Sequence, residues 1–146
     1  MSSADQVTMD WVQYHKIKER GWPEKPLACF GIFSHKNLRL PNRARVWLIA
    51  GEKAKPTYHY YLIEWFMVDN VEMNNENGEN RASGRQGAYL GERTRIDGEP
   101  WFAEFKQNMQ NFHFGLSPIT NEAVIKGLEK VAGISSVPID REKPRT

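Results

Sequence analysis

One cysteine, Cys29, stands among 146 residues, so no internal disulfide can form. That points to a reducing compartment, the cytoplasm. No apolar run reaches the roughly 18 residues of a membrane helix. The opening "MSSADQVTMD" lacks the apolar stretch of a secretory signal, so no membrane association is expected. Catalytic signatures are missing as well. Gly84, Gly87 and Gly91 lie in or beside a polar stretch with no following GK[ST], which excludes a phosphate loop of that type. There is no G-x-S-x-G elbow. His15, His35, His59 and His113 are scattered, with neither an i, i+4 pair nor paired cysteines, so no metal site is expected. Glu52 is followed by Lys53 and Lys55, but not at the E-x-K spacing of a metal-dependent nuclease. Cys29 sits between Ala28 and Phe30 and reads as a small buried hydrophobe rather than a nucleophile. No cofactor is implied, and the balance is against an enzyme.

The chain has instead the makings of one folded domain spanning 1–146, with frayed tails at 1–10 and 137–146. Hydrophobic residues make up 40% and aromatics 12%, enough to build a core without staples. The charge is unevenly laid out. Residues 11–55 carry ten Lys/Arg against three acids, a net +7, whereas 56–80 carry five acids and no base. The basic stretch is interleaved with Trp11, Tyr14, Trp22 and Trp47, a combination suited to a polyanion. A solvated surface balanced by the acidic segment is the plainer reading.

Element signals follow in order. "TMDWVQYHKIKERGW" reads as a helix capped at Thr8 or Asp10 and stopped at Gly21, with a strand over "WVQYH" as its competitor. "LACFGIF" (27–33), "ARVWLIA" (44–50) and the long "TYHYYLIEWFMVDNVE" (57–72) read as strands, the last two joined by "GEKAKP" as an antiparallel hairpin. "NNENGENRASGRQG" (74–87) reads as a polar loop, and "AYLGERTRI" and "FHFGLSPI" as further strands. "DGEPWFAEFKQNMQ" predicts a helix with Trp101, Phe105 and Met109 inward. "TNEAVIKGLEKVAG" predicts another, capped by Thr120, with Val124, Leu128 and Val131 inward and Gly133 as its stop. The expected fold is α+β: about five strands in a small mixed or antiparallel barrel-like sheet, with two or three packing helices.

Glu64 is the odd residue of the long strand. A carboxylate amid apolar neighbours needs a donor or water, so it either pairs with Arg43 or Arg45 or reaches a ligand. On a regular strand His59, Tyr61, Ile63, Trp65 and Met67 share one face and Tyr58, Tyr60, Leu62, Glu64 and Phe66 the other. His59 and Glu64 then act together only if a bulge intervenes. Trp47 and Trp65 read as core.

In layout, "WVQYHKIKERGW" followed by "RVWLIAGEKAKPTYHYYLIEWFMVD" resembles the PUA-like barrels, the group with EVE, ASCH and YTH-type domains, over residues 11–131. The ASCH-type G-x-K-x-x-E-x-R begins at Gly51 and Lys53, but Pro56 and Tyr58 stand at its glutamate and arginine positions. The resemblance implies a non-catalytic nucleic-acid reader, of DNA or RNA, holding a modified or flipped base in an aromatic pocket. Trp11, Tyr14, His15, Trp22 and Glu64 would bind the base. Lys16, Arg43, Arg45, Lys53 and Lys55 would contact phosphates. A metabolite-binding protein or enzyme with a pocket on a curved sheet is one alternative. A self-associating accessory protein, as a homodimer or beside an effector partner, is the other.

Overall fold

The computed structural model describes residues 9–16, 26, 29–34, 38, 40, 41, 43–54, 57–74, 78–91, 94–109, 112 and 116–134. Among them are eight strands in two sheets and two helices, an α+β arrangement. The strands are β1 (Asp10–Lys16), β2 (Phe30–Ser34), β3 (Arg45–Ala54), β4 (Thr57–Met67), β5 (Asn70–Glu72), β6 (Asn80–Gly84), β7 (Gln86–Tyr89) and β8 (Leu116–Pro118). The helices are α1 (Phe102–Asn108) and α2 (Glu122–Ala132). A five-stranded sheet runs β7-β4-β3-β1-β8 and a three-stranded one β2-β6-β5.

The hairpin expected around "GEKAKP" is present: β3 and β4 pair antiparallel from Arg45↔Met67 to Ala54↔Thr57. The helix expected at the start of the chain is not. Residues 10–16 form β1, parallel to β3 and antiparallel to β8. Its residues alternate, with Val12 and Tyr14 packing to one side and Trp11 to the other. That is the two-residue period of a strand. The β-branched and aromatic residues of "WVQYH" suit it, and pairing on both edges outweighs the local helical signals. Asp10 is not frayed, since it is buried at the head of β1.

The polar stretch 74–87 is a second correction, for it contains β6, which pairs with both β2 and β5. Asn80 and the small residues Ala82, Ser83 and Gly84 supply its buried positions, so hydrophobicity does not announce it. β4 runs on into β5, and β6 into β7, in one register: Met67 faces Gln86 and Asn70 faces Ser83. The two sheets therefore share a single long hairpin, bent at Val68–Asp69 and Arg85. At the bend Asp69 N–H donates to the Ser83 carbonyl (2.9 Å) and Asp69 Oδ2 accepts from Arg85 N–H (3.2 Å). Strands that change sheet at such a corner are how sheets pack at a steep angle. The described residues form two sheets joined along this corner, and no closed barrel.

Each face of the large sheet has its own core. One face meets the helices through Val12, Trp47, Ile49, Leu62, Phe105, Val124 and Leu128. The other meets the small sheet through Val46, Leu48, Ile63, Phe66, Ile32 and Ala82. Both predicted helices form. Phe105 is fully buried, with Trp101 and Met109 partly buried against the core. In α2, Val124 and Leu128 face inward as expected. Asn121, not Thr120, caps it by accepting from Ala123 and Val124 N–H, and Gly133 closes it at φ 76°.

Candidate functional site

The irregularity that builds the site lies in β4. Leu48 faces Glu64, but Ile49 faces Leu62, so Ile63 is an extra residue, a β-bulge. Alternation reverses across it. Tyr60 and Leu62 point to the helices and, past the bulge, so do Trp65 and Met67. Tyr61, Ile63 and Phe66 point to the small sheet. The facing sets expected for a regular strand are thus corrected. Glu64 joins Tyr61 and His59 on one side, though about 13 Å of strand separates it from His59.

On that side, one row crosses the whole sheet: Tyr89, Glu64, Leu48, Gln13 and Leu116. Glu64 is 3% exposed. No described residue gives its carboxylate a hydrogen bond or an ion pair, and burial alone raises its pKa to about 7. Two strands away in the same row, Gln13 Oε1 is also buried and without a partner. The next row holds Tyr61, Ala50 and His15, with Ala50 fully buried between the two larger side chains. Beyond it, Glu52 faces His59 and accepts from the Tyr61 hydroxyl at 3.4 Å. Arg95 bridges to Tyr61 and pairs with Asp97 at 2.6 Å. The Arg95 hydrogen bond, with that of Tyr60 N–H, holds the Asp97 pKa down at about 2. Burial, then Glu52, raises the Tyr61 hydroxyl.

No family model, curated protein or solved structure matches the chain. The residues themselves therefore carry the case. Trp11 and His15 lie on the Glu64 side of the large sheet, as their register with Val46 and Ala50 requires. Tyr14 does not. It lies on the helix side, stacked on Phe112 at 5.2 Å, where burial and the neighbouring Tyr60 push its hydroxyl to about 12. Gly51 is what admits it, because any Cβ there would run into the Tyr14 ring. Trp22 and Lys55 fall outside the described residues. Arg43 and Lys53 are exposed, and Lys16 ends β1 beside Gly51.

Arg45 is placed differently from a phosphate contact. It is fully buried on the helix side, its Nε donating to Asp10 Oδ1 (2.6 Å) and its Nη2 to Glu129 Oε2 (2.7 Å). Trp47 Nε1 donates to the same Asp10 oxygen at 3.0 Å, and the guanidinium lies 4.8 Å from the Trp47 ring centre. With Arg45 committed there and Arg43 exposed, neither is the partner foreseen for Glu64. Gln13, Tyr61, Arg95 and Tyr89 are the site residues that sequence reasoning missed. Gln13 was legible in "WVQYH", as the polar residue of an otherwise core-facing alternation, once that stretch is read as a strand.

Chemically, the face offers hydrogen-bonding groups, and among the described residues no nucleophile with an adjacent base. No cluster of three or more His, Cys, Asp or Glu able to hold a metal occurs among the described residues. No described helix is long and apolar enough to cross a membrane.

Proposed function

We propose that this chain is a non-catalytic nucleic-acid-binding module of the cytoplasm that seats a base on the Trp11, Gln13, His15 and Glu64 face of the large sheet. One observation carries the reading: Gln13 Oε1, buried and without a partner among the described residues, stands in one row of one face with the buried side chain of Glu64. Buried polar groups are nearly always satisfied within the protein. Such an exception, in one row with a buried carboxyl, suits an outside partner with hydrogen-bonding edges, flanked by rings that stack. The basic, aromatic segment 11–55 supplies the electrostatic half, with Arg43 and Lys53 as exposed cations for phosphates. The bent hairpin shared by two sheets is compatible with an opened PUA-like barrel, the layout the sequence resembles.

The deep burial of Glu64 favours one competing reading, a small metabolite enclosed between the sheets. Fluorescence polarisation with labelled single- and double-stranded DNA and RNA at low and high salt separates them. Nucleic-acid binding that weakens steeply with salt and quenches tryptophan supports the first reading. No polymer binding at low salt, with a salt-insensitive melting shift from a metabolite panel, supports the second.

A further inference from the structure

Resting on the nucleic-acid reading, we infer that Tyr58, Lys53 and Lys106 form a second contact for the same strand: a stacking platform flanked by cations, where β3 ends and β4 begins. Alternation puts it on the helix side of the large sheet. Ile49, Gly51 and Lys53 follow one another there on β3, and Leu62, Tyr60 and Tyr58 on β4, with Lys53 directly opposite Tyr58. Tyr58 lies about 20 Å along β4 from Glu64, within the reach of one bound strand. Tyr58 is 45% exposed, yet its ring is held. It stacks on Tyr60, with centroids 6.0 Å apart and planes 27° from parallel. Tyr60 is in turn packed against Phe102 at 5.0 Å and Phe112 at 5.6 Å. The core thus supports one face of the Tyr58 ring, and a ring ordered in advance stacks a base with little further loss of side-chain freedom. The cations beside it are uncommitted. Lys106, on α1, sets its Nζ 5.2 Å from the Tyr60 ring centre, and Lys53 is exposed. Neither lysine has an ion pair among the described residues, and Asp97, which accepts from Tyr60 N–H, is taken by Arg95. An exposed ring with two unpaired ammonium groups suits a base and its phosphates. A neutral apolar partner would leave both charges unanswered.

The test measures polarisation of a labelled single-stranded DNA oligonucleotide of mixed sequence across a salt series. It compares the native protein, Tyr58→Ala, Tyr58→Phe, and Lys53→Gln combined with Lys106→Gln. Tyr58→Ala should weaken binding by about fivefold or more, the effect of deleting one base-stacking ring. Tyr58→Phe, which keeps the ring, should recover that loss. The paired lysine variant should make the slope of log affinity against log salt shallower by about 1.4, the share of two phosphate contacts on a single strand. Native binding that Tyr58→Ala leaves unchanged overturns the platform and leaves nucleic-acid binding standing. An unchanged salt slope in the lysine variant overturns its phosphate contacts. Absence of binding by the native protein overturns both the platform and the reading beneath it. Matched melting curves confirm that Tyr58→Ala is folded, and the lysine variant tests the platform without removing a ring.

Discussion

The large sheet buries carboxylates on both faces, and treats them oppositely. On the helix side Asp10 and Glu129 converge on Arg45, with the Trp47 indole as a further donor. On the other side Glu64 lies as deep and has no partner among the described residues. The first arrangement ties β1, β3 and α2 together, three elements far apart in the chain. Its charges hold one another in place, and only Arg45 Nη1 is left unmatched. The second contributes nothing to folding that a leucine would not do better. A buried charge that the fold satisfies reads as architecture, whereas one that the fold leaves open reads as a place for something else.

The largest effect should come from breaking the satisfied cluster. Arg45→Met leaves two carboxylates buried without their cation and is expected to cost about 3–5 kcal/mol, measured by urea unfolding. A loss below ~1 kcal/mol would mean that the cluster is incidental.

Next is the pH dependence of Glu64. Its pKa is raised in the fold from 4.5 to about 7, so the unfolded chain ionises first as pH rises. The stability it contributes is complete below about pH 4.5 and is lost as pH climbs through 7, by about 3 kcal/mol in all. Glu64→Leu should flatten that slope and leave the protein more stable than native at pH 8. An unchanged slope in thermal melts from pH 5 to 8 would show Glu64 to be solvated or paired. Asp97 gives the opposite sign at lower pH: its depressed pKa adds stability that disappears as pH falls from about 4 towards 2.

A smaller effect sets the scale for a half-buried, satisfied group. Asn121→Ala removes the cap of α2 and should cost about 1 kcal/mol in the same urea assay. The smallest belongs to Gln13. Gln13→Leu removes an unmatched acceptor and should change stability by less than about 1 kcal/mol, in the stabilising direction. If it destabilised as much as the cap removal, Gln13 would belong with the architecture instead.

Much of this comparison was legible in residue pattern. The β3–β4 hairpin, both helices and the oddity of Glu64 follow from apolar periodicity and from one charge in an apolar run. What stayed hidden depended on partners distant in sequence. β1 carries helical end signals nearby, and only β3 and β8 make it a strand. β6 is built from small and polar residues, so its membership in a sheet is written in backbone pairing. The bulge at Ile63 left no mark in "YYLIEWF". Yet it decides which side Glu64 takes and so brings it into line with Gln13. Arg45 looked like one more cation of a basic segment, because its two acids come from positions 10 and 129.

The most direct test is a nitrogen–proton correlation spectrum of the labelled protein titrated with a single-stranded DNA oligonucleotide, since one spectrum watches both faces. The Gln13 side-chain amide and the Trp11 indole resonances should shift with saturation, while the Trp47 indole, held by Asp10 beneath the helices, stays in place. Movement of Trp47 with Gln13 unmoved would contradict binding at Gln13, and would put the binding surface on the helix side of the sheet.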